Sequence, residues 1–349
     1  WDSVPYCQIS NSDFAKYRIK KEEIFFARTG ATTGKSYLIS DISQNAVFAS
    51  YLIRVKVSKD KVFPNYVYLF FQSPQYWKQI IPQGGAQPNM NAQKLMKLFI
   101  PIPVHDGEPD LEEQRRIVGK IETFFEKLDK AKELRSQGKK EAEELLESAL
   151  HQVFSRANGS GWRWLRLREL GEIVMGQSPP SETYNDNGVG LIFYQGKIDF
   201  GDLHPNPRIY CTSPSRVAEP YDILISVRAP VGPVNIANQK CGIGRGLAAI
   251  RPKHAEYFYV YYWFKYLEDK WSVVGTTFGA IKKNDLMNHK IPLPFKNGNP
   301  NLDEQKRIVS YLDKISKKQK ELLKLYKDSE NEIEEMKQSI LRKAFVGEL

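Results

Sequence analysis

The sequence predicts an α+β fold in which two globular α/β domains stand in tandem and each is followed by a long helix. Three observations predict it. A stretch of the chain is repeated 191 positions later, so that Ile100 corresponds to Ile291. Each copy ends in a segment with apolar residues at heptad spacing, which is typical of a coiled-coil helix. The segments ahead of these helices combine short β-type runs with turn residues.

The duplication is clearest where each globular segment ends. The pattern Ile-Pro-x-Pro, followed by Leu-x-Glu-Gln-x-Arg-Ile-Val, starts at Ile100 and starts again at Ile291 with the same internal spacing. Upstream, the aromatic runs 66–71 and 259–264 correspond after small shifts. Residues 162–176 open the second copy and have no counterpart ahead of residue 1. We therefore expect the first globular domain to lack an N-terminal part.

The duplication divides the chain into five consecutive segments. These are a first globular domain at 1–103, a helix-bearing segment at 104–154, a linker at 155–161, a second globular domain at 162–294 and a C-terminal helix-bearing segment at 295–349. The linker contains Asn-Gly-Ser-Gly, a composition typical of flexible connections. Short apolar runs bounded by turn residues predict strands in both globular domains. They lie at 24–26, 51–53, 223–225 and 247–250.

Both long helices begin with a capping signature that follows a proline. In the first helix Asp110 is followed by Glu113, and in the second Asn301 is followed by Glu304. We expect the cap oxygen and the carboxylate three residues later to satisfy the free backbone N–H groups of the first turn. Gly347 is a suitable end for the second helix, because glycine tolerates the left-handed conformation that often follows a helix.

Heptad spacing in the two helices predicts a coiled-coil seam. The seam residues are Ile117, Ile121, Phe124, Leu128, Ala131, Ala142, Leu145 and Ala149 in the first helix, and Ile308, Leu312, Ile315, Leu322, Tyr326, Ile333, Met336 and Ile340 in the second. Because each seam matches the other helix of the same chain, we expect these residues to form intramolecular core rather than a partner surface. Polar or missing side chains interrupt the seam at Arg135, Gly138 and Ser329, where the pairing should be weaker or bent.

Composition and charge narrow the class of protein. The formal net charge of +10 and the isoelectric point near 9.2 favour a polyanionic partner such as nucleic acid, although many basic proteins bind none. No stretch approaches the roughly 18 consecutive apolar residues of a membrane span, so no membrane partner is expected. Cys7, Cys211 and Cys241 form no C-x-x-C pair, which suits a reduced cytoplasm. The five histidines lack metal-ligand spacing, so no metal site is predicted.

No catalytic centre is predicted. The segment from Gly30 to Ser36 resembles a phosphate-binding P-loop, but residue 29 is threonine where the motif needs its first glycine, and the second copy lacks the lysine. An Asn-Pro-Pro-aromatic methyltransferase motif is absent, since neither Asn206-Pro207 nor Asn299-Pro300 continues it. The aromatic runs could stack bases, but tyrosine-rich runs at equivalent places in both copies are more often core.

The order of these motifs resembles that of one protein family. Each copy has an acidic residue before an apolar strand and a glycine turn (23–34 and 222–232), then a glycine-led segment (84–90 and 275–281), then the two motifs that open the long helix. Duplicated within one chain, this combination is similar to the specificity subunits of Type I restriction-modification systems. The resemblance covers nearly the whole sequence.

The resemblance implies that the globular domains are target recognition domains, each reading half of a bipartite DNA site. It also implies that the two helices pair as an antiparallel coiled coil with pseudo-twofold symmetry and serve as a spacer and a docking surface. The implied partners are double-stranded DNA, modification (methyltransferase) subunits and restriction (translocase and nuclease) subunits. This chain would then hold no cofactor and would not be an enzyme, since S-adenosylmethionine and ATP are expected on the partner subunits.

Candidate DNA-contacting residues lie where the two copies diverge and in turns beside strands. At equivalent positions, Gln87, Asn89 and Asn91 correspond to Phe278, Ala280 and Lys282. Asparagine and glutamine can form two hydrogen bonds with adenine, and lysine can reach guanine or phosphate. The full set of candidates is Arg28, Thr29, Thr32, Thr33, Lys35, Gln87, Asn89, Asn91, Arg228, Arg245, Thr276, Thr277, Lys282 and Lys283. Because the two domains differ, the two half-sites are expected to differ as well, which makes the target asymmetric.

Two other functions are compatible with the sequence. A structural coiled-coil adaptor could join two protein-binding domains without touching DNA, and the chain could be the recognition half of a larger restriction enzyme. A steep loss of duplex binding as salt rises would separate a DNA-binding protein from an adaptor, because neutralised phosphates release counterions. If the chain binds DNA, the length of the paired helices is expected to set the spacing between the half-sites.

Overall fold

The computed structural model describes residues 4–42, 44–80, 90–268, 270 and 280–349. The chain divides into two compact units, which we call unit 1 (Trp1–Gly138 and Leu325–Leu349) and unit 2 (Lys139–Lys324). Each unit combines one globular part with portions of both long helices. The units therefore do not coincide with the domains predicted from the sequence, each of which is one continuous stretch. Helices and sheets occur in both units, which confirms the α+β fold class.

Unit 1 is built on a small antiparallel sheet. Its strands are β1 (Ile24–Ala27), β2 (Ser36–Leu38) and β3 (Leu52–Val55), in the order β2-β1-β3. The short helices are α1 (Asn11–Tyr17), α2 (Pro64–Phe70), α3 (Pro74–Ile80) and α4 (Ala92–Met96). A hairpin of β4 (Val104–His105) and β5 (Glu108–Pro109) leads to the long helix α5 (Leu111–Glu143), whose last residues belong to unit 2. The strands expected at 24–26 and 51–53 are present, the second shifted by one or two residues.

Aromatic side chains dominate the core of unit 1. Tyr66 and Phe70 of α2 and Tyr76 of α3 are almost completely buried. Phe345, directly after the second long helix, packs edge-on against Tyr66 and Phe70, with ring centroids 5.1 and 5.2 Å apart. Such edge-to-face pairs contribute about 0.5–1.5 kcal/mol each beyond their buried area. The aromatic run 66–71 is therefore core, as its repetition indicated.

Unit 2 contains a larger set of strands. Its helices are α6 (Leu145–Phe154), α7 (Leu167–Leu170), α8 (Tyr257–Tyr266), α9 (Lys283–Asn288) and the first half of the long helix α10 (Leu302–Ala344). Its strands are β6 (Trp162–Arg166), β7 (Gly171–Met175), β8 (Tyr184–Asn185), β9 (Leu191–Tyr194), β10 (Tyr210–Cys211), β11 (Val217–Ala218), β12 (Ile223–Ser226), β13 (Val234–Ile236), β14 (Cys241–Ile243), β15 (Leu247–Pro252), β16 (Lys290–Lys296) and β17 (Asn299–Pro300). The sheets have the orders β11-β14-β9-β10-β8, β13-β12-β15-β7 and β17-β16-β6.

The strand β12 separates two apolar clusters of unit 2. Ile223 and Ile225 lie in a cluster with Phe264 of α8, whereas Leu224 lies in a second cluster with Tyr194. Both faces of the strand are covered, which explains why it reads as a continuous apolar run rather than an alternating one. Residues 259–264 of α8 are buried, so the second aromatic run is core as well.

The two long helices run antiparallel within each unit. In unit 1 the Lys337 ammonium binds Asp129 at 2.5 Å, and the Arg135 guanidinium donates to the Ser329 carbonyl at 2.9 Å. In unit 2 the bonded pairs are Gln319 with Ala142 at 2.9 Å and Tyr311 with Gln152 at 3.2 Å. In both units, positions later in the first helix meet positions earlier in the second, as antiparallel pairing requires.

The assignment of Phe124 and Met336 to the coiled-coil seam is wrong. Their side chains are 42% and 52% exposed, and their neighbours Phe125 and Lys337 lie on the inner face, with the Lys337 ammonium 5.2 Å from the centre of the Phe125 ring. A strict heptad assumes 3.5 residues per turn, whereas a straight helix has 3.6 and drifts by about 20° per heptad. The strict heptad repeat therefore selected Phe124 and Met336, each one position before the residue that faces the partner helix. The other predicted seam residues are buried or half-buried.

The interruption of the seam at Gly138 is filled from the opposite helix. A Cβ atom added at Gly138 would lie 2.4 Å from the hydroxyl oxygen of Tyr326, so the absent side chain makes room for that ring. The irregularity in the first helix lies instead at Glu144, between α5 and α6. Gly347 has a positive φ of 79°, and the Glu348 N–H donates to the Lys343 carbonyl at 2.9 Å, as expected beyond a helix end.

The capping prediction is half right. Asp110 Oδ1 accepts the Glu113 N–H at 2.9 Å, and Asn301 Oδ1 accepts the Glu304 N–H at 3.2 Å. The two glutamate carboxylates do not reach back, because each binds an arginine three positions further along the helix. The N–H groups of the two cap residues donate instead to the carbonyls of Pro103 and Pro294, both at 2.8 Å.

A buried glutamine joins the globular part of each unit to its long helix. Gln114 Oε1 accepts the Phe63 N–H at 2.8 Å, and its Nε2 donates to the Lys61 carbonyl at 3.1 Å. The equivalent Gln305 accepts the Glu256 N–H at 2.9 Å. Phe63 and Glu256 are the N-cap residues of α2 and α8. In both units the same side chain therefore satisfies a backbone donor at the start of the aromatic helix.

We expect Gln114→Ala to lower the free energy of unfolding more than Gln305→Ala does. The first change removes the side-chain partner of both the Phe63 N–H and the Lys61 carbonyl, and a backbone group that loses its partner away from water costs about 1–3 kcal/mol. The second removes one bond, and Gln305 Nε2 has no hydrogen-bond partner in the described part of the chain. Denaturant titrations, combined with hydrogen exchange in each unit, measure which variant loses more free energy of unfolding. Lys120→Ala, on the exposed side of α5, is the control. Equal losses in the two variants would contradict this account.

His289 gives unit 2 a defined response to pH. Its Nε2 accepts the Trp263 indole N–H at 3.0 Å, and burial lowers the pKa of His289 from 6.5 to about 4. Between these values the unfolded chain binds a proton that the folded chain does not. The free energy of unfolding of unit 2 should therefore decrease as the pH falls from about 6.5 to about 4. Urea titrations across this pH range measure the decrease. The His289→Gln variant should lack the part of the decrease that is due to this residue. If the free energy of unfolding of the variant varied with pH as steeply as that of the wild type, His289 would have no such role.

Candidate nucleic-acid interface

A cleft at one end of the sheets of unit 2 brings several polar side chains together. Loops after β7, β9 and β12, and the loop between β14 and β15, form its walls. The cleft encloses about 350 Å³, and its lining residues are Ser178, Gln195, Gly196, Lys197, Ser226, Arg228, Ala229, Arg245 and Gly246. We call it the unit 2 cleft.

Hydrogen bonds fix two of these loops to each other. Ser226 Oγ lies 3.0 and 2.8 Å from the carbonyl oxygens of Arg228 and Pro230, which holds the loop that follows β12. The Val227 N–H donates to the Gly246 carbonyl at 2.9 Å. Because these residues are the immediate neighbours of Arg228 and Arg245, the backbone holds the two arginines at a defined separation.

The third wall depends on a close backbone approach and on a buried carboxylate. A Cβ atom at Gly246 would lie 2.2 Å from the Gln195 carbonyl oxygen, so only glycine fits there. The buried Asp199 accepts the Gln195 N–H at 2.6 Å and the Arg208 Nε–H at 3.0 Å. This carboxylate closes the single helical turn Lys197–Asp199 and so positions Lys197 at the cleft.

Three positive charges border the unit 2 cleft. Lys197, Arg228 and Arg245 are exposed, and none of them forms an ion pair with another described residue. Gln195 and Ser178 add a neutral amide and a hydroxyl to the lining. Cations beside an amide and a hydroxyl can bind phosphate oxygens and the edges of bases.

Unit 1 carries exposed cations at the equivalent strand end. The turn from β1 to β2 presents Arg28, Thr29, Thr32 and Lys35 to solvent. The Met90 N–H donates to the Arg28 carbonyl at 3.1 Å, and in unit 2 the Ile281 N–H donates to the Val227 carbonyl at 2.9 Å. Met90 and Ile281, which correspond in the repeat, therefore bind the backbone directly after β1 and β12, respectively.

The turn in unit 1 corrects one predicted contact. Thr33 is buried, and its hydroxyl donates to the Gly30 carbonyl at 2.7 Å, so it closes the turn and does not face a ligand. The turn joins two antiparallel strands, whereas a P-loop joins a strand to a helix. The Tyr76 hydroxyl donates to the Gly34 carbonyl at 2.6 Å and anchors the turn to α3.

The remaining predicted contacts fall into three groups. Lys282 and Lys283 are exposed at the start of α9. Asn91 caps α4, since its side-chain oxygen accepts the Lys94 N–H at 2.9 Å, and its contact with DNA stays a prediction. Four residues lie outside the described part of the chain: Gln87, Asn89, Thr276 and Thr277.

Besides the two arginines, the exposed polar side chains of the unit 2 cleft are those of Ser178, Gln195 and Lys197, and sequence reasoning missed them. The glycine and lysine directly after the apolar run 191–194 were a usable signal for a loop at a strand end. Only the parallel pairing of β9 with β14 places this loop near Arg245.

Two α+β units, each with exposed cations at a strand end and each containing portions of both long helices, define a tandemly repeated α+β protein. The chain belongs to the family described as the type I restriction modification DNA specificity domain, whose family model matches residues 5–139 and 159–335. The two matched segments correspond to the two copies of the internal repeat.

Relatives and solved structures agree with this assignment. The chain is 33% identical over 367 residues to the putative type I restriction enzyme MjaX specificity subunit of Methanocaldococcus jannaschii, covering 98% of this chain and 81% of that protein. It is similar in structure to a chain from a study of complex assembly and conformational transition of the type I R-M system, with a TM-score of 0.80, 38% identity and coverage of 95% and 83%. The HsdS subunit from Thermoanaerobacter tengcongensis matches with a TM-score of 0.67, 39% identity and coverage of 95% and 82%.

Two further properties concern the described residues alone. None of their helices is both long enough and apolar enough to cross a membrane. They also contain no cluster of three or more histidine, cysteine, aspartate or glutamate side chains suited to a metal ion.

Proposed function

We propose that this chain is the DNA-reading subunit of a type I restriction-modification complex and that it recognises an asymmetric bipartite site. The observation that carries the proposal is the pair of equivalent strand ends with exposed cations. Arg28 and Lys35 occupy this place in unit 1, and Arg228 and Arg245 occupy it in unit 2.

Electrostatics support duplex DNA as the ligand. The chain has a formal net charge of +10, and exposed arginine and lysine side chains neutralise phosphates and release bound counterions. Arginine can also bind guanine through two hydrogen bonds in the major groove. Lys282 and Lys283 are further candidates for phosphate contacts, since they are exposed at the start of α9.

Differences between the two strand ends support an asymmetric target. The unit 1 turn combines cations with the hydroxyls of Thr29 and Thr32, whereas the unit 2 cleft combines cations with Gln195 and Ser178. Different donors and acceptors read different base edges. We infer that each unit reads its own half-site and that the paired helices set the distance between the half-sites.

The same helices are the proposed docking surface for modification and restriction subunits. Their inner faces pair with each other, and their outer faces carry exposed charged residues that remain available to partners. Methyl transfer with S-adenosylmethionine and ATP-driven cleavage would then take place on those partners, while this chain positions them on DNA in the cytoplasm.

The test is duplex binding followed by mapping of the target. We expect the full chain, with its cognate modification subunit, to bind DNA with an affinity that falls steeply as salt rises. Sequencing of methylated positions after co-expression should give one asymmetric bipartite motif. Binding that is absent at low salt, or methylation of a symmetric motif, would refute the proposal.

The two rival functions predict different results. An adaptor that joins proteins would show no salt-dependent duplex binding. The recognition half of a larger restriction enzyme would belong with catalytic domains on its own polypeptide, so a separate modification subunit would not restore methylation.

A further inference from the structure

A group of exposed cations lies ahead of the first strand of unit 1. We call it the unit 1 basic patch, and its members are Lys16, Arg18, Lys20 and Lys21. None of the four forms an ion pair within the described part of the chain. The adjacent carboxylates bind other cations, since Glu22 binds Lys59 and Glu23 lies 3.8 Å from the Arg54 guanidinium. The positive charge of the patch is therefore available to an anionic ligand.

Two side chains hold the backbone of the patch in place. The Arg54 guanidinium donates to the carbonyl oxygens of Lys16 and Arg18, both at 3.1 Å. The buried Glu23 carboxylate accepts the Lys20 N–H at 3.0 Å. Because the backbone is fixed while the charged ends stay in solvent, an anion can bind without first ordering the segment, which lowers the entropic cost of binding.

Part of the patch borders a polar pocket of about 510 Å³. The lining residues are Arg18, Ile19, Lys20, Lys21, Ile42, Gln44 and Asn45. The three cations and the two amides supply N–H donors, and no carboxylate is among these lining residues. Such a lining fits an anion that accepts several hydrogen bonds, and phosphate oxygens bind these side chains in this way.

Equivalent backbone features align the patch with residues 215–221 of unit 2. Glu22 and Tyr221 directly precede the acidic residue ahead of β1 and β12, and both have a positive φ, of 70° and 71°. The N–H group two positions before each of them donates to that acidic side chain, at 3.0 and 2.9 Å. The two segments therefore correspond position by position without a gap.

Unit 2 lacks the patch. The counterparts of Lys16, Arg18, Lys20 and Lys21 are Ser215, Val217, Glu219 and Pro220. A single cation, Arg216, stands there in place of Tyr17. The bracing arginine is missing as well, because Ala249 occupies the position of Arg54 in the equivalent sheet. The four cations and their brace are therefore specific to unit 1, and the shared architecture of the repeat does not explain them.

The patch and the turn from β1 to β2 lie at opposite ends of β1. The patch precedes Ile24, and the turn that carries Arg28 and Lys35 follows Ala27. Four strand residues span about 13 Å at about 3.3 Å each, whereas one helical turn of duplex DNA is about 34 Å long. A duplex that contacts the turn is therefore long enough to present phosphates to the patch as well, which favours DNA over an acidic peptide.

We propose that the unit 1 basic patch binds the phosphate backbone of duplex DNA, without reading sequence, beside the base pairs that unit 1 recognises. Phosphate contacts fix the position of a protein on the duplex, and base contacts supply the sequence information. Since unit 2 lacks the patch, the complex holds the flank of one half-site more tightly than the flank of the other. This inference rests on the proposed function, which identifies the ligand as duplex DNA.

The test replaces all four patch cations with glutamine in the full chain and measures duplex binding in the presence of its cognate modification subunit. The slope of log affinity against log salt should fall in magnitude by about three to four, because each neutralised phosphate contributes about 0.9. The affinities for a duplex with the target motif and for one without it should decrease by the same factor. Interference by ethylated phosphates should disappear beside one half-site only.

Two further variants serve as controls. Glutamine in place of four exposed lysines of unit 2 removes the same charge and should leave the pattern of ethylation interference unchanged; these are Lys240, Lys290, Lys296 and Lys306. Arginine in place of Lys16, Lys20 and Lys21 keeps the charge and should preserve the slope. If the fourfold glutamine variant fails to fold, Lys20→Gln and Lys21→Gln should each lower the slope by about one.

Three outcomes would overturn the proposal, and the first would refute the proposed function too. In that case the wild-type complex binds no duplex even at low salt. If the wild-type complex binds DNA and the glutamine variant keeps both its slope and its pattern of interference, the patch alone is excluded. A variant that binds DNA normally but no longer binds the modification subunit would show that the patch holds an acidic protein surface.

Discussion

Replacing Arg228 and Arg245 together with alanine is expected to weaken binding to the specific duplex by about 100-fold or more. Both side chains border the unit 2 cleft without an ion-pair partner among the described residues. A guanidinium that binds a base edge contributes about 1–3 kcal/mol of discrimination, so the loss of two such contacts gives an effect of this size. The backbone bond between Val227 and Gly246 does not depend on either side chain, so unit 2 should remain folded.

Salt titrations and substituted duplexes reveal what the two arginines contact. If they bind phosphates, the slope of log affinity against log salt should fall in magnitude by about two, and all sequences should weaken alike. If they bind bases, discrimination at particular positions of one half-site should relax instead. Arg28→Ala with Lys35→Ala should produce the corresponding effect at the other half-site.

The matched control replaces Lys240 and Lys296, which are exposed cations of unit 2 outside the cleft lining. This variant loses the same charge, so only a smaller, sequence-independent decrease in affinity is expected. Equal losses in the control and in the Arg228 and Arg245 variant would show that net charge, and not the cleft, governs binding. Wild-type affinity in the arginine variant would exclude the cleft as a contact surface.

Removing one heptad from each long helix is expected to shift the methylated motif to a spacer about three base pairs shorter. Residues 132–138 and 326–332 are suited to this deletion, because the Gly138–Tyr326 and Arg135–Ser329 contacts lie within them and are lost together. Seven residues correspond to about 10.5 Å of helix at 1.5 Å per residue, and DNA advances by about 3.4 Å per base pair. The original site should no longer be methylated, because its half-sites would be too far apart.

Methylome sequencing of cells that express the shortened chain and its modification subunit measures the spacer. Reinsertion of a different seven-residue segment with the same apolar pattern in each helix should restore the original spacing, which controls for loss of particular side chains. A deletion in one helix alone removes the match between facing positions and should abolish methylation. An unchanged spacer in the double deletion would exclude the paired helices as the determinant of spacing.

Local patterns made much of the fold predictable. The strands at 24–26 and 223–225, the cap oxygens of Asp110 and Asn301, and the positive φ of Gly347 depend on residues close together in the chain. The unit 2 cleft could not be found in this way. Lys197 and Arg245 are 48 positions apart, and they border one cleft because β9 and β14 are parallel neighbours in the sheet.

Hydrogen bonding to the backbone explains the one predicted contact that the structure contradicts. Thr33 is of a residue type that binds DNA well, but threonine also forms local bonds with nearby backbone groups. The structure shows that the buried Thr33 hydroxyl closes a turn. The assignment of Phe124 and Met336 to the seam was wrong for another reason. A small drift in helical phase decides which of two neighbouring residues faces the partner helix.

The sequence by itself determined the α+β class, the duplication and the family, because these follow from the order of residue types along the chain. The tertiary structure alone decided which cations meet at the unit 2 cleft and which side chains lie on the inner faces of the paired helices. Each of these depends on contacts between residues far apart in the chain, and such contacts are set by sheet order and helix packing.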